Sequence, residues 1–193
     1  MNRTQASGSR WACGRAAVAI RQVSPEQDLP ALGDFFAGLS LNTRYLRFFG
    51  PVRPGAALLR TLAGCAANVD ALAAVRRGVI VGHAMAVDRV EPKDPRGTRV
   101  TDIGVVVDDA WQGRGVGAAL MRAIVTGAQA RGVAVLEMDV LDSNQRVLAM
   151  VTAHWPAARV ERTPDGLAIR VRLPQVSVTP AAAVAPTSAL ALG

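Results

Sequence analysis

The strongest constraint on this chain is a glycine-rich turn that joins a β-branched run to a long apolar-periodic segment. The stretch reads VVVDDAWQGRGVGAALMRAIVTGAQARG and spans residues 105–132. Closely spaced glycines leave the backbone N–H groups of such a turn uncovered, and the first turn of the helix that follows has four unpaired N–H groups and a partial positive charge. Phosphate is the ligand that such a turn favours. The alternative is that the glycines only permit a sharp turn and close helix packing.

The turn also matches the dinucleotide-binding pattern G-x-G-x-x-G/A. Gly113, Gly115 and Ala118 satisfy it, and Glu137 and Asp139 follow at roughly the distance of a ribose-binding acid. However, the letters DDAWQ separate the first glycine from the strand, and too little chain follows for several further βα units. The preceding part of the chain also predicts helices and an antiparallel hairpin rather than repeated βα units. These features disfavour a nicotinamide dinucleotide.

Hydrophobic periodicity predicts one mixed α+β domain over residues 17–174. The segment VAIRQV predicts a first strand, followed by a helix that starts around Ser24 and ends near Gly38. Further helices are predicted in LNTRYLRFFG, GAALLRTLAGCA and SNQRVLAMVTAHW, and further strands flank Arg77 and Pro164 and fill TRVTDIGVVV and VAVLEMDVL. Residues 1–16 and the Ala/Pro-rich residues 175–193 predict disordered tails, because neither can bury enough apolar surface.

Composition and charge favour some kinds of ligand and site over others. The chain has 193 residues, enough for one ordinary domain, and its net charge of +7 fits an anionic ligand or simply an arginine-rich surface. Cys13 and Cys65 have no metal-type spacing, Cys65 is expected to be buried in a helix, and no metal site is expected. His83 and His154 are expected to be structural. Because no signal peptide or membrane span is predicted, we expect a cytoplasmic protein without membrane contact.

The glycine-rich segment resembles the central motif of GNAT-type N-acetyltransferases, in which a strand is followed by Q/R-x-x-G-x-G/A and a helix. Trp111 takes the aromatic place before the motif, and SNQRVLAM resembles the family's Asn-started helix. The stretch VAIRQVSPEQDLPALGDFFAGLSLNTRYLRFF resembles the opening of GNAT domains in bacterial protein acetyltransferases. The residues that match the central motif are Gln112, Gly113, Arg114, Gly115, Val116 and Gly117.

The resemblance covers roughly residues 18–174 and implies a GNAT-like α+β fold. That fold has a mixed, mostly antiparallel central sheet flanked by helices, with a splayed central strand. It also implies acetyl-CoA as cosubstrate, with the pyrophosphate on the backbone N–H groups of residues 112–117 and Asn144 near the pantetheine. The pantetheine arm would pair with the splayed strand at Val105, Val106 and Val107.

Acetyl transfer to an amine requires a neutral amine, a donor to the thioester oxygen and a means of stabilising the thiolate. By the resemblance, Asp102 is the candidate base, at a place where similar bacterial enzymes have a Glu; the alternative is an exposed strand carboxylate. Strand alternation puts its side chain on the face of Gly104 and Val106. Val151 occupies the place where many family members have a proton-donating Tyr.

The sequence therefore predicts an acetyl-CoA-dependent N-acyltransferase, an enzyme that acts directly on a primary amine of a small molecule or of a protein lysine or N-terminus. We expect a monomer or homodimer. By the same resemblance, in which the early helices border the acceptor cleft, residues 35–60 are expected to line part of that cleft; they include Phe35, Phe36, Arg44, Tyr45 and Arg47. These arginines suggest an acceptor with a carboxylate or phosphate, and an acidic protein is equally compatible. The alternative function is a non-catalytic acyl-CoA-binding regulatory module. Nucleic acid is disfavoured because the arginines are scattered without a stacking platform.

Overall fold

The computed structural model describes residues 12–13, 18–92 and 94–174 of the chain. The strands in this part are β1 (Ala12–Cys13), β2 (Val18–Gln22), β3 (Val69–Arg76), β4 (Val79–Val90), β5 (Arg99–Val107), β6 (Val135–Val140), β7 (Arg159–Thr163) and β8 (Gly166–Arg172). The α-helices are α1 (Leu29–Gly38), α2 (Leu41–Phe48), α3 (Ala56–Leu62), α4 (Val116–Ala130) and α5 (Gln145–His154). A short 3₁₀ turn, Asp109–Trp111, lies between β5 and the glycine-rich loop.

The described strands form a single sheet in the order β1-β2-β3-β4-β5-β6-β8-β7. Every neighbouring pair in this sheet is antiparallel except β5 and β6, which run parallel. The parallel pair follows from the connection between them, because α4 carries the chain back across the sheet. This architecture confirms the prediction of an α+β domain with a mixed, mostly antiparallel sheet.

The sheet splits open between β5 and β6. Their pairing runs from Val100 opposite Val135 to Asp102 opposite Glu137, and no paired residues follow. Residues 103–107 of β5 stay paired with β4 on the other side, and residues 138–140 of β6 stay paired with β8. The two strands therefore diverge while each keeps one neighbour, which confirms the predicted splayed central strand.

Apolar residues cover both faces of the sheet. On one face, the apolar residues of α4 pack against the strands, with Leu120 and Ile124 fully buried, and Val151 of α5 joins the same cluster. On the other face, Leu32 and Phe36 of α1 pack with α3. The sheet is thus sandwiched between helices, and its splayed edge lies between the two layers.

Two local predictions are wrong. Helix α1 begins at Leu29 rather than near Ser24, because the Asp28 carboxylate accepts hydrogen bonds from Arg21 and from the Ser24 backbone N–H and holds residues 24–28 in a turn. Cys65 is exposed and lies beyond the end of α3 rather than inside a buried helix.

The described structure adds a two-residue strand, β1, inside the range predicted as an N-terminal tail. The other residues of 1–16, and all of 175–193, lie outside the described part, so the domain division stays a prediction. Among the described helices, none is long and apolar enough to cross a membrane.

Candidate functional site

A cleft of about 710 Å³ occupies the opening between β5 and β6. Helix α2 borders it on one side, α5 borders it on the other, and the glycine-rich loop with the start of α4 lies at one end. Its volume is in the range of small-molecule binding sites. The predicted site residues that line it are Asp102, Val105, Val106, Val107, Gln112, Gly113, Gly115, Gly117 and Asn144.

The glycine-rich loop has the backbone shape of an anion site. Gly113 and Gly115 have φ angles of 72° and 83°, in the left-handed region that side chains disfavour, and Gly115 is the N-cap residue of α4. This conformation lets the turn lead directly into a 15-residue helix, whose N-terminus concentrates N–H donors and partial positive charge. The geometry suits a phosphate at this end of the cleft.

The side chain of Gln112 braces the loop against three elements. Its Nε2 donates to the Val107 carbonyl at 3.2 Å and to Thr43 Oγ1 of α2 at 3.1 Å. Its Oε1 accepts from Arg146 Nη1 of α5 at 3.1 Å. The role of this side chain in the structure is therefore to fix the loop relative to β5, α2 and α5.

Two predicted cofactor residues do not line the cleft. The guanidinium of Arg114 stacks on the Trp111 ring, with its Cζ 5.2 Å from the ring centroid, and Val116 is buried in the core under α4. Arg146 instead supplies a cation to the cleft. Sequence reasoning missed Arg146 because only the tertiary packing of α5 brings it to the loop, although its place two residues after Asn144 is a weak signal.

Asn144 begins α5 at the edge of the cleft. Its Oδ1 accepts from the Val147 backbone N–H at 3.4 Å, which caps the helix. The position predicted for a proton-donating tyrosine, Val151, is buried in the core. Tyr45, the chain's single tyrosine, is exposed on α2 and does not line the cleft.

Asp102 lies at the point where β5 and β6 part. Its side chain is 51% exposed, and Oδ2 accepts from Arg89 Nε at 3.2 Å. Arg89 also pairs with Glu137, the residue opposite Asp102, and Arg170 pairs with Glu137 at 2.7 Å. An alternating set of charges therefore holds the carboxylate at the point where the cleft opens between β5 and β6.

Of the early-helix residues expected near the acceptor, only Arg47 reaches the cleft lining. Phe35 and Phe36 are buried in the core, where Phe36 packs edge-on against the ring of His83. Burial lowers the pKa of the Arg47 guanidinium to about 10.

Asp139 of β6 is an exposed residue in the lining of the same cleft. The sequence suggested it only as a ribose ligand.

No group of three or more potential metal-binding side chains is found among the described residues. Neither described histidine lines the cleft, so the described residues do not form a site of two histidines and a carboxylate there. His83 is buried beneath α1, and His154 lies at the end of α5. The chemistry that the described site offers consists of backbone donors, carboxylates and guanidinium groups.

Comparisons with known proteins agree with this geometry. Residues 41–154 match the model of the acetyltransferase (GNAT) family. No curated protein sequence gives a significant match. Among solved structures, the GNAT domain of S. lividans PAT is similar with a TM-score of 0.71 and 23% identity, over 82% of this chain and 92% of that one.

Two further structures share the fold. A GNAT-family acetyltransferase from Streptococcus pneumoniae aligns with a TM-score of 0.65 and 18% identity, over 81% of this chain and 99% of that one. The yncA protein of Salmonella typhimurium, whose structure contains its cofactor acetyl-CoA, aligns with a TM-score of 0.62 and 13% identity, over 84% of this chain and 97% of that one.

Proposed function

Because this chain belongs to the acetyltransferase (GNAT) family, we propose that it transfers the acetyl group of acetyl-CoA directly to a primary amine of a small molecule or of a protein. Membership confirms the predicted family and the predicted class of enzyme, an N-acetyltransferase. The observation that carries the proposal is the splayed cleft, which has a glycine-rich loop of suitable shape for an anion at one end and a carboxylate, Asp102, at the other.

The cleft suggests how acetyl-CoA would lie. Its pyrophosphate would accept hydrogen bonds from the backbone N–H groups of residues 112–117, with Arg146 adding a charge-assisted contact. The pantetheine arm would run along residues 105–107, where β5 has no strand beside it on the cleft side among the described residues. An arm of this kind would take the place of the missing strand by pairing with backbone groups of this segment, apart from the Val107 carbonyl, which already accepts from Gln112. Asn144 would border the arm from α5.

The reaction we propose joins the amine nitrogen to the thioester carbonyl carbon and breaks the carbon–sulfur bond. Backbone N–H groups near Val106 and Val107 would donate to the carbonyl oxygen as it gains negative charge. The proton lost by the amine would go to Asp102, directly or through one water. The thiolate would take its proton from water, because no tyrosine lines the cleft in the described part of the chain.

Gly117 offers a direct test of the phosphate position. It lies in the first turn of α4 and lines the cleft, and an added Cβ would meet only Val107 Cγ2, at an ordinary 3.6 Å. Gly117→Glu should leave the melting temperature without ligand unchanged, since a carboxylate suits a helix N-terminus. It should weaken acetyl-CoA binding about tenfold or more by charge repulsion.

Gly117→Gln is the matched control, because it has the same shape without the charge. The assay is a thermal-shift titration with acetyl-CoA, and NAD serves as a second ligand. If both variants keep the wild-type shift with acetyl-CoA, the pyrophosphate does not lie at this loop. Stabilisation by NAD alone would overturn the acetyltransferase proposal.

The sequence-based alternative, a non-catalytic acyl-CoA-binding module, is favoured by one observation: the carboxylate of Asp102 is already paired with Arg89. Release of free CoA thiol with a panel of amines separates the two functions. Under our proposal thiol is released, and Asp102→Asn lowers turnover without changing the acetyl-CoA thermal shift. Binding without thiol release from any amine would instead support the module.

A further inference from the structure

Helix α2 holds two arginines that have no acidic partner among the described residues. Arg44 is only 7% exposed, and its Nε and Nη1 are buried without a hydrogen-bond partner. The Nε of Arg47 is buried and unpartnered in the same way. By contrast, Arg89 and Arg131 each pair with two or more carboxylates. The Arg47 guanidinium contacts an aromatic ring, with Cζ 5.1 Å from the centroid of Phe48, but no carboxylate among the described residues. Because a buried charge without a counter-charge is costly, such a guanidinium in a cleft favours the binding of an anion.

Arg47 is the member of this pair that faces the cleft. Its guanidinium lies directly on the backbone of β5 at Gly104, where a Cβ would stand 2.5 Å from Nη2 and 2.6 Å from Cζ. Any other residue at position 104 would push the guanidinium away. The glycine therefore makes room for a cation at the centre of the splayed strand, and burial of this cation lowers the pKa of Arg47.

The anion that pairs with Arg47 does not come from the proposed pyrophosphate position. Thr43, one helical turn before Arg47, contacts Gln112 of the loop, so α2 runs away from the loop toward Gly104. Gly104 also lies three residues before Val107, which corresponds to about 10 Å along a strand. With its pyrophosphate on the loop, acetyl-CoA presents only neutral pantetheine and acetyl groups to Arg47.

The carboxylates of the cleft lie on the same side of the sheet as Arg47. Asp102 is two residues before Gly104, so both project to one face of β5. Asp139 is two residues after Glu137, the partner of Asp102 in the register, and so extends the same face on β6. One cation and two carboxylates thus border the end of the cleft where the acetyl group would be.

We propose that Arg47 binds a carboxylate of the acceptor, so that the preferred acceptor is a small amine that also carries a carboxylate, as an amino acid does. This inference rests on the proposed function. Asp102 and Asp139 bind the ammonium group of the arriving acceptor, which gives one proton to water and so becomes the neutral amine that attacks the thioester. Arg47 binds the acceptor's carboxylate through the planar N–H fork that guanidinium offers. The two carboxylates disfavour a dianionic group such as a phosphate at the same place.

The test compares the common L-amino acids, each with its carboxamide, as acceptors for thiol release from acetyl-CoA. The amine of the amide loses its proton more readily than that of the acid, so intrinsic reactivity favours the amide. We expect wild-type protein to prefer at least one acid over its amide despite this difference. An aminoalkyl phosphate is included, and a preference for it over every acid would overturn the assignment of a carboxylate.

The Arg47→Met variant removes the charge and keeps most of the bulk. We expect the ratio of kcat/KM for the preferred acid to that for its amide to fall about ten- to hundredfold. Arg47→Lys should restore only part of that ratio, because the ammonium lacks the fork. The acetyl-CoA thermal shift should persist in both variants. If kcat/KM falls equally for the acid and the amide, or if the acetyl-CoA thermal shift is lost, Arg47 contributes to the cosubstrate site or to the fold instead.

Gly104→Ala provides a second variant that keeps the arginine. Its Cβ displaces the guanidinium, whose side chain is flexible, and should lower the same ratio without lowering the melting temperature. An unchanged ratio in this variant would refute the position of the cation. Failure of the proposed function is a separate result, because wild-type protein would then release no thiol with any acid or amide. Release with amides but without preference for an acid would refute only the present inference.

Discussion

We expect a buried histidine to make the stability of this protein depend on pH. His83 of β4 is fully buried, and its Nε2 lies 2.8 Å from the Leu62 carbonyl oxygen. Since a carbonyl only accepts, Nε2 carries the proton of the neutral ring, and the buried Nδ1 has no partner. Burial lowers the pKa of His83 from 6.5 to about 4; the hydrogen bond to Leu62 opposes this shift, and the nearby Arg47 charge adds to it.

The size of the effect follows from these two pKa values. A histidine whose pKa is lower in the folded state loses stability as the pH falls, because the unfolded chain binds the proton first. The loss starts near pH 6.5 and is complete below about pH 4. One pKa unit corresponds to about 1.36 kcal/mol, so acidification from about pH 7.5 to about pH 5 should lower the free energy of unfolding by about 2 kcal/mol. For a domain of this size, the melting temperature should fall by about 4–8 °C.

Urea unfolding at a series of pH values measures this dependence, and His83→Gln removes its source while keeping a donor for the Leu62 carbonyl. We expect the variant to have a lower free energy of unfolding than the wild-type protein at neutral pH. That free energy should change little between about pH 7.5 and about pH 5. His154→Gln, a change at an exposed histidine, should keep the wild-type slope. Equal slopes for wild-type protein and His83→Gln would show that the buried ring does not control the pH dependence.

Two further changes test the packing around the site. Arg131→Met should lower the free energy of unfolding by about 1–3 kcal/mol in urea titrations, because it removes the guanidinium that lies 2.6 Å from each of the partly buried carboxylates of Asp70 and Asp88; an unchanged midpoint would contradict this. Asp109→Ala should cost about 1–2 kcal/mol and weaken the acetyl-CoA thermal shift, because the carboxylate accepts from Thr43 Oγ1 at 2.7 Å and so helps to position the loop. If the free energy of unfolding falls but the acetyl-CoA thermal shift is unchanged, Asp109 does not help to position the loop.

Local patterns were enough to predict most of the fold. A buried helix face needs apolar residues at steps of three and four, and the buried residues Val116, Ala119, Leu120, Ile124 and Ala128 of α4 follow that spacing. The splayed strand was predicted from resemblance rather than from its own residues. Its physical cause is that β6 turns to stay with β8 while β5 stays with β4, and no local pattern encodes that choice.

The site was harder to predict where it depends on contacts between distant segments. Arg114 follows the loop pattern, yet its guanidinium has an aromatic ring within reach and stacks there instead of facing the cleft. Arg146 reaches the loop only through the packing of α5. The contact between Arg47 and Gly104 joins residues 57 positions apart in the sequence, and neither residue is informative without the other.

The divergence of β5 and β6 also creates a hazard for the unliganded protein. Unpaired strand backbone usually lies at the outer rim of a sheet, where proteins protect it against pairing with other chains. Here such an edge lies in the middle of the sheet, along residues 103–106, which pair with no described strand on the side of β6. The molecule that we propose to cover it is a metabolite. Bound acetyl-CoA would then pair with this strand edge, and its release would expose the edge again. We therefore expect its concentration to govern how readily this protein aggregates as well as how fast it reacts.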